Sequence, residues 1–168
     1  MIIIDYLNAS DIEYFFADKP INRVSTKPEV ENKKILLENL KNKISMTQNC
    51  ELKNNADKLV FNDGDSDSAI MIVGEGPGQK EDIEGKPFVG DAGLLLNKML
   101  KSINIDRDKV YITNVVNYRP PNNRKPDPSE IERYSVFLKE HISIIDPKIL
   151  ILMGSTAMES LLGLKIKI

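Results

Sequence analysis

Apolar residues in this chain gather into short unbroken runs, with longer stretches of helical spacing between them. The runs are residues 69–73 (Ala-Ile-Met-Ile-Val), 110–113 (Val-Tyr-Ile-Thr) and 149–153 (Ile-Leu-Ile-Leu-Met). A run of four or five apolar residues that stops at glycine or a polar amide is the pattern of a strand covered on both faces. Residues 92–103 space Leu94, Leu95, Leu96, Met99 and Leu100 as a helix does, and residues 129–145 do the same with Ile131, Phe137, Leu138, Ile142 and Ile145. Upstream, residues 30–44 predict an amphipathic helix through Ile35, Leu36, Leu40 and Ile44. The alternation predicts an α/β fold, a doubly wound parallel sheet flanked by helices with right-handed crossovers. In such sheets ligands lie beyond the carboxyl ends of the strands.

Residues 10–18 form a short amphipathic stretch that ends in Lys-Pro-Ile-Asn-Arg at 19–23, the pattern of an appendage. The expected division is an N-terminal helical extension, 1–45, and a main domain, 46–168. At 168 residues the chain is long enough for one domain with its own core. No apolar run reaches the length of a membrane span, and the opening Met-Ile-Ile-Ile-Asp is too short and too soon acidic for a signal peptide. These features lead to the expectation of a soluble, cytoplasmic, monomeric protein that does not engage membranes. The single cysteine, Cys50, excludes an intrachain disulfide and a metal site made of cysteines alone. With a net charge of −2, a nucleic-acid partner would have to be met by a local basic patch.

The distinctive residues follow the expected strands. After the first comes Gly74-Glu-Gly-Pro-Gly78, with Glu81 and Asp82, then Gly85-Lys-Pro-Phe88-Val-Gly90. The spacing matches neither the dinucleotide fingerprint nor the phosphate-binding P-loop. A purely structural turn would explain the glycines, but not the carboxylates Glu75, Glu81 and Asp82 among them. After the second strand comes Asn114, then the basic, proline-rich segment Tyr118-Arg119-Pro-Pro-Asn-Asn-Arg124-Lys125-Pro126. Taken singly, an amide at a strand end caps a loop and a basic loop is solvated. Together the two loops offer an amide for a base edge, an aromatic face for stacking and cations for a backbone, as a pocket for a flipped base requires.

The series GEGPGxxED, GxPFVGxAGxLL, VYITNVV, RPPxNRxPxPxE and PKILILMGxxA, in that order across residues 46–163, resembles the motifs of family 4 uracil-DNA glycosylases. Residues 10–23 resemble the N-terminal extension of some bacterial members. The resemblance implies a three-layer uracil-DNA-glycosylase-like fold and hydrolysis of the N-glycosidic bond of uracil flipped out of DNA, the opening step of base excision repair. It further implies that the Gly76 amide binds the base and that Glu75 lies beside the attacking water. Glu81 would stand where a thymine methyl would go, Phe88 would stack on uracil, and Asn114, counted with Glu75 as catalytic, would hydrogen-bond its Watson-Crick edge. Arg119, Arg124 and Lys125 are the candidates for DNA phosphate.

The chain departs from the family pattern in two places. Members hold a 4Fe-4S cluster on four cysteines, and the matching positions here are Thr47, Cys50, Tyr118 and Tyr134, so the expectation is no iron and no other cofactor. Members also carry a His-Pro-Ser loop near the C-terminus. The only histidine here, His141, falls inside the expected helix at 129–145, as a surface or satisfied side chain. The last strand and that loop are therefore expected to be missing. The expected function is a uracil-DNA glycosylase, or alternatively an impaired remnant or uracil-DNA binding module without turnover.

Overall fold

The structure, a computed structural model, describes residues 32–163. The amphipathic stretch at 10–18 and the rest of the expected extension up to residue 31 lie outside the described residues. Four strands form one sheet: β1 (Asp63–Gly64), β2 (Ile70–Gly74), β3 (Tyr111–Asn114) and β4 (Ile149–Leu152), in the order β1-β3-β2-β4. β2 pairs in parallel with both β3 and β4, while β1 pairs antiparallel with β3. The sheet is thus mixed rather than purely parallel. The three long strands stand within a residue of their expected places. The two residues of β1 are too few to show any alternation.

Alternation along β2 explains the layers. Met71 and Val73 face one way, into a core shared with Tyr111, and Ile72 faces the other way with Ile112. The first face is covered by helices α1 (Lys33–Ser45), α2 (Glu51–Asn55), α5 (Pro128–Ile145) and α6 (Ser155–Leu162), through residues that include Leu40, Leu52, Leu138 and Ala157. The second is covered by α4 (Asp91–Ser102) through Leu96 and Leu100. A one-turn helix, α3 (Gln79–Glu84), bridges β2 and α4.

The covered faces differ from the expected ones in several places. Leu37, Leu40 and Ile44 of α1 pack into the same core as Met71 and Val73 of β2. Ile35, expected on the buried side, is 56% exposed, because the packed stripe is the one centred on Leu37 and Leu40. On α4, Leu94, Leu95 and Met99 are likewise more than half exposed, since a helix lying on a sheet buries one stripe however many leucines it carries. β4 is an edge strand among the described residues, and its Ile149 and Ile151 are 54% and 41% exposed, unlike the covered strand that the apolar run predicts.

His141, on α5, is not a surface residue. It is buried, with Nε2 2.5 Å from the Tyr111 hydroxyl and its ring stacked on Phe61 at 4.7 Å. Burial pushes its imidazole down to about 3 from an ordinary 6.5. The unfolded chain therefore takes up a proton that the folded chain refuses, and this contribution to stability declines as pH falls from 6.5 and is fully lost only near 3. Unfolding in urea at about pH 7 and about pH 4.5 is expected to show a loss of a few kcal/mol, and His141→Gln to flatten that acid limb.

Candidate active site

The parallel register aligns Gly74 with Asn114, so β2 and β3 end at the same level. Pairing runs on past both ends through Val115 N–H to Gly74 C=O at 2.9 Å and Val116 N–H to Glu75 C=O at 3.1 Å. The two distinctive loops consequently leave the sheet side by side. Beyond the strand ends lies a cleft of about 480 Å³, the largest of those described, lined by Gly74, Glu75, Gly76, Glu81, Phe88 and Asn114, with Met153 and Gly154 from the end of β4 closing one side. Every residue expected to contact the base lines this one cleft.

The contacts within it depend on Gly74. A methyl group there would stand 2.5 Å from Phe88 Cζ and 2.6 Å from Asn114 Oδ1, so only glycine lets the ring and the amide meet over the strand end. Phe88 itself has φ +53°, a left-handed backbone that costs a non-glycine residue about 1–2 kcal/mol. Asn114 is buried, and its Nδ2 is a buried side-chain atom without a hydrogen-bond partner among the described residues. Leaving such a donor unsatisfied costs about 1–3 kcal/mol, a cost that a ligand acceptor in the cleft would remove.

The carboxylates divide by role. Glu81 lines the cleft and is held rigidly, with Oε1 accepting from Val89 N–H at 3.0 Å and Gly90 N–H at 2.7 Å. Asp82 is buried and faces away; its Oδ1 accepts from the amides of Asp57 and Lys58 and ties the chain before β1 to α3. Glu75 takes a hydrogen bond from the hydroxyl of Thr156, a fully buried residue in the first turn of α6. Thr156 was not legible in the sequence, because a lone threonine in an apolar helix carries no signal of the carboxylate it meets.

The three basic candidates are also unlike one another. Arg124 forms a paired contact with Glu130, at 2.8 and 2.7 Å, and Glu130 in turn accepts from Asp127 N–H at the start of α5. That guanidinium holds the Glu130 carboxyl below its ordinary value and serves the helix end. Arg119 is half-buried and donates to Asn123, and exposed Lys125 reaches Ser155 Oγ at 3.3 Å.

The positions matched to cluster cysteines do not fit an iron-sulfur cluster. Cys50 Sγ lies 3.3 Å from the Tyr134 hydroxyl, and Tyr118 is packed in the same core. Burial raises both phenols, so they remain neutral and cannot replace thiolates. Thr47, two residues past the end of α1, instead donates to the Lys43 carbonyl of that helix.

Residues 61–167 match the family model of the uracil DNA glycosylase superfamily. The chain belongs to that superfamily. It is 43% identical over 123 residues to the Type-4 uracil-DNA glycosylase of Thermotoga maritima, covering 73% of this chain and 64% of that one. It is 46% identical over 119 residues to the Type-4 enzyme of Sulfurisphaera tokodaii, covering 70% and 54%, and 39% identical over 128 residues to that of Archaeoglobus fulgidus, covering 76% and 64%. The chain thus spans between about half and two thirds of the length of these relatives, which come from bacteria and archaea alike.

Gly74→Ala is expected to destabilise the fold by about 1–3 kcal/mol through overpacking and to swing Phe88 off the strand end. Urea unfolding, with NMR ring shifts of Phe88, checks both; an unchanged ring position would contradict the steric account.

Proposed function

We propose that this chain is a uracil-DNA glycosylase domain that hydrolyses the N-glycosidic bond of uracil flipped out of DNA, beginning base excision repair. The observation that carries the reading is Asn114, which lines the cleft beside Phe88 and whose buried Nδ2 has no hydrogen-bond partner among the described residues. Uracil offers an acceptor at O4 and a donor at N3–H, which an asparagine amide complements with Nδ2 and Oδ1. Cytosine reverses that pattern at both positions, so an amide held in this one orientation rejects it. Phe88 stacks on the base, and the Gly76 N–H binds its carbonyl edge.

Glu81 supplies selectivity against thymine. Its carboxylate is already fixed by two backbone amides, so it cannot swing aside for a methyl group, and burying that methyl against it would strip water from the charge. Bond cleavage puts positive charge on the sugar and negative charge on the departing base. Glu75, held by Thr156, stands to orient water and oppose the first charge, while fixed N–H donors in the cleft oppose the second. Arg119 and Lys125 are the residues proposed for phosphate, and Arg124 is assigned to α5 instead. Uracil-containing DNA is the partner.

A second reading, a module that binds uracil in DNA without turnover, draws support from His141. The only imidazole in the chain is buried against Tyr111 and Phe61, on the face of the sheet that carries α1 and α5, and does not line the cleft.

Uracil release from a labelled single-stranded oligonucleotide separates the readings. Asn114→Ala is expected to slow release by about a hundred- to a thousandfold, the usual effect of losing one preorganised polar group. Uracil-dependent binding with no released base in the parent chain would favour the module; neither binding nor release would overturn both.

A further inference from the structure

The base-stacking role of Phe88 requires its ring to be in place before the base arrives, yet its backbone sits in a conformation that non-glycine residues avoid. Such a conformation persists only where the surroundings enforce it. Residues 87–90 are in fact gripped from both sides. The Glu81 carboxylate accepts from the amides of Val89 and Gly90 on the cleft side. The carbonyls of the two preceding residues are held by Arg107, which lies outside the cleft in the turn Arg107–Lys109 leading into β3.

Arg107 donates to Phe88 C=O from Nη1 at 2.9 Å and to Pro87 C=O from Nη2 at 2.7 Å. The same guanidinium is itself fixed by Asp63 of β1, Nε to Oδ2 at 2.8 Å, and by Asn97 of α4, Nη1 to Oδ1 at 2.9 Å. Four hydrogen bonds on one half-buried planar fork leave it no alternative orientation. Gly93 completes the seat, since a side chain there would overlap the Phe88 carbonyl.

We propose that Arg107 is a positioning residue for the reaction: from behind the cleft it holds Phe88 in its left-handed conformation, so that the ring is presented to the base. The proposal rests on the reading of Phe88 as the stacking residue. A lysine at 107 could keep the ion pair with Asp63 but, with its donors on a single nitrogen, could not also hold Asn97 and both adjacent carbonyls as the planar fork does.

The test combines a structural and a kinetic measurement on the full chain. In the parent protein the strong intraresidue HN–Hα NOE of a left-handed residue is expected at Phe88; in Arg107→Met and Arg107→Lys it is expected to weaken, in a protein that still unfolds cooperatively. Retention of that signature in Arg107→Lys would overturn the proposal, whether or not the chain has activity, and Arg107→Lys carries the test should Arg107→Met not fold. For uracil release, Arg107→Lys is expected to reduce kcat/KM about tenfold alone and to have little further effect in a Phe88→Ala background, because both changes remove the same stacking contact. Multiplicative losses would show that Arg107 acts elsewhere and overturn its positioning role. No release by the parent chain, with the NOE still dependent on Arg107, would count against the glycosylase reading and leave the clamp standing.

Discussion

The site depends on one constraint, the parallel pairing that aligns Gly74 with Asn114 and ends β2 and β3 together. Because both strands stop at one level, a residue without a side chain lies beside a buried amide. The space so created admits the ring of Phe88 from a loop that returns fourteen residues later in the chain. A register shift of one residue would turn Asn114 to the opposite face of the sheet and bury an apolar side chain where its amide now stands. The hydrophobic alternation that sorts Met71 and Val73 from Ile72 therefore also aims the polar groups of the cleft.

Charge in the two loops is used mostly to hold backbone. Asp82 satisfies the amides of Asp57 and Lys58, Arg124 braces Glu130 at the start of α5, and Arg107 and Glu81 grip residues 87–90 from opposite sides. Loops rich in glycine and proline lack the repeating hydrogen bonds of helices and strands, so their polar groups must be satisfied by side chains reaching in from elsewhere. Glu81 has two tasks at once: it anchors a loop and it forms a wall of the cleft. Such sharing makes the cleft rigid without adding any residue to it.

On the α1 and α5 face, Cys50, Tyr118 and Tyr134 fill with packed side chains and one weak hydrogen bond the region where the family resemblance implies cluster ligands. His141 joins this face through Tyr111. These buried groups contribute packing, and burial is what moves the proton affinities of Tyr118, Tyr134 and His141. The cost of that arrangement falls at acid pH, where a buried imidazole must remain uncharged.

Much of the molecule was legible in the residues alone. Period and run length located β2, β3, β4, α4 and α5 to within about a residue, because burial of apolar surface leaves a periodic trace along the chain. The motifs placed Gly74, Glu75, Gly76, Glu81, Phe88 and Asn114 at or just beyond the ends of the first two strands, and all of them line one cleft. Only the tertiary structure decided which stripe of α1 and α4 is covered, that a two-residue strand adds antiparallel to β3, and that Arg124 serves a helix end. It alone revealed Arg107 and Thr156, whose partners stand 19 and 81 residues away along the chain. Periodicity records what a segment buries, but a single polar contact between distant segments leaves no period, and the chain must fold before its partner is known.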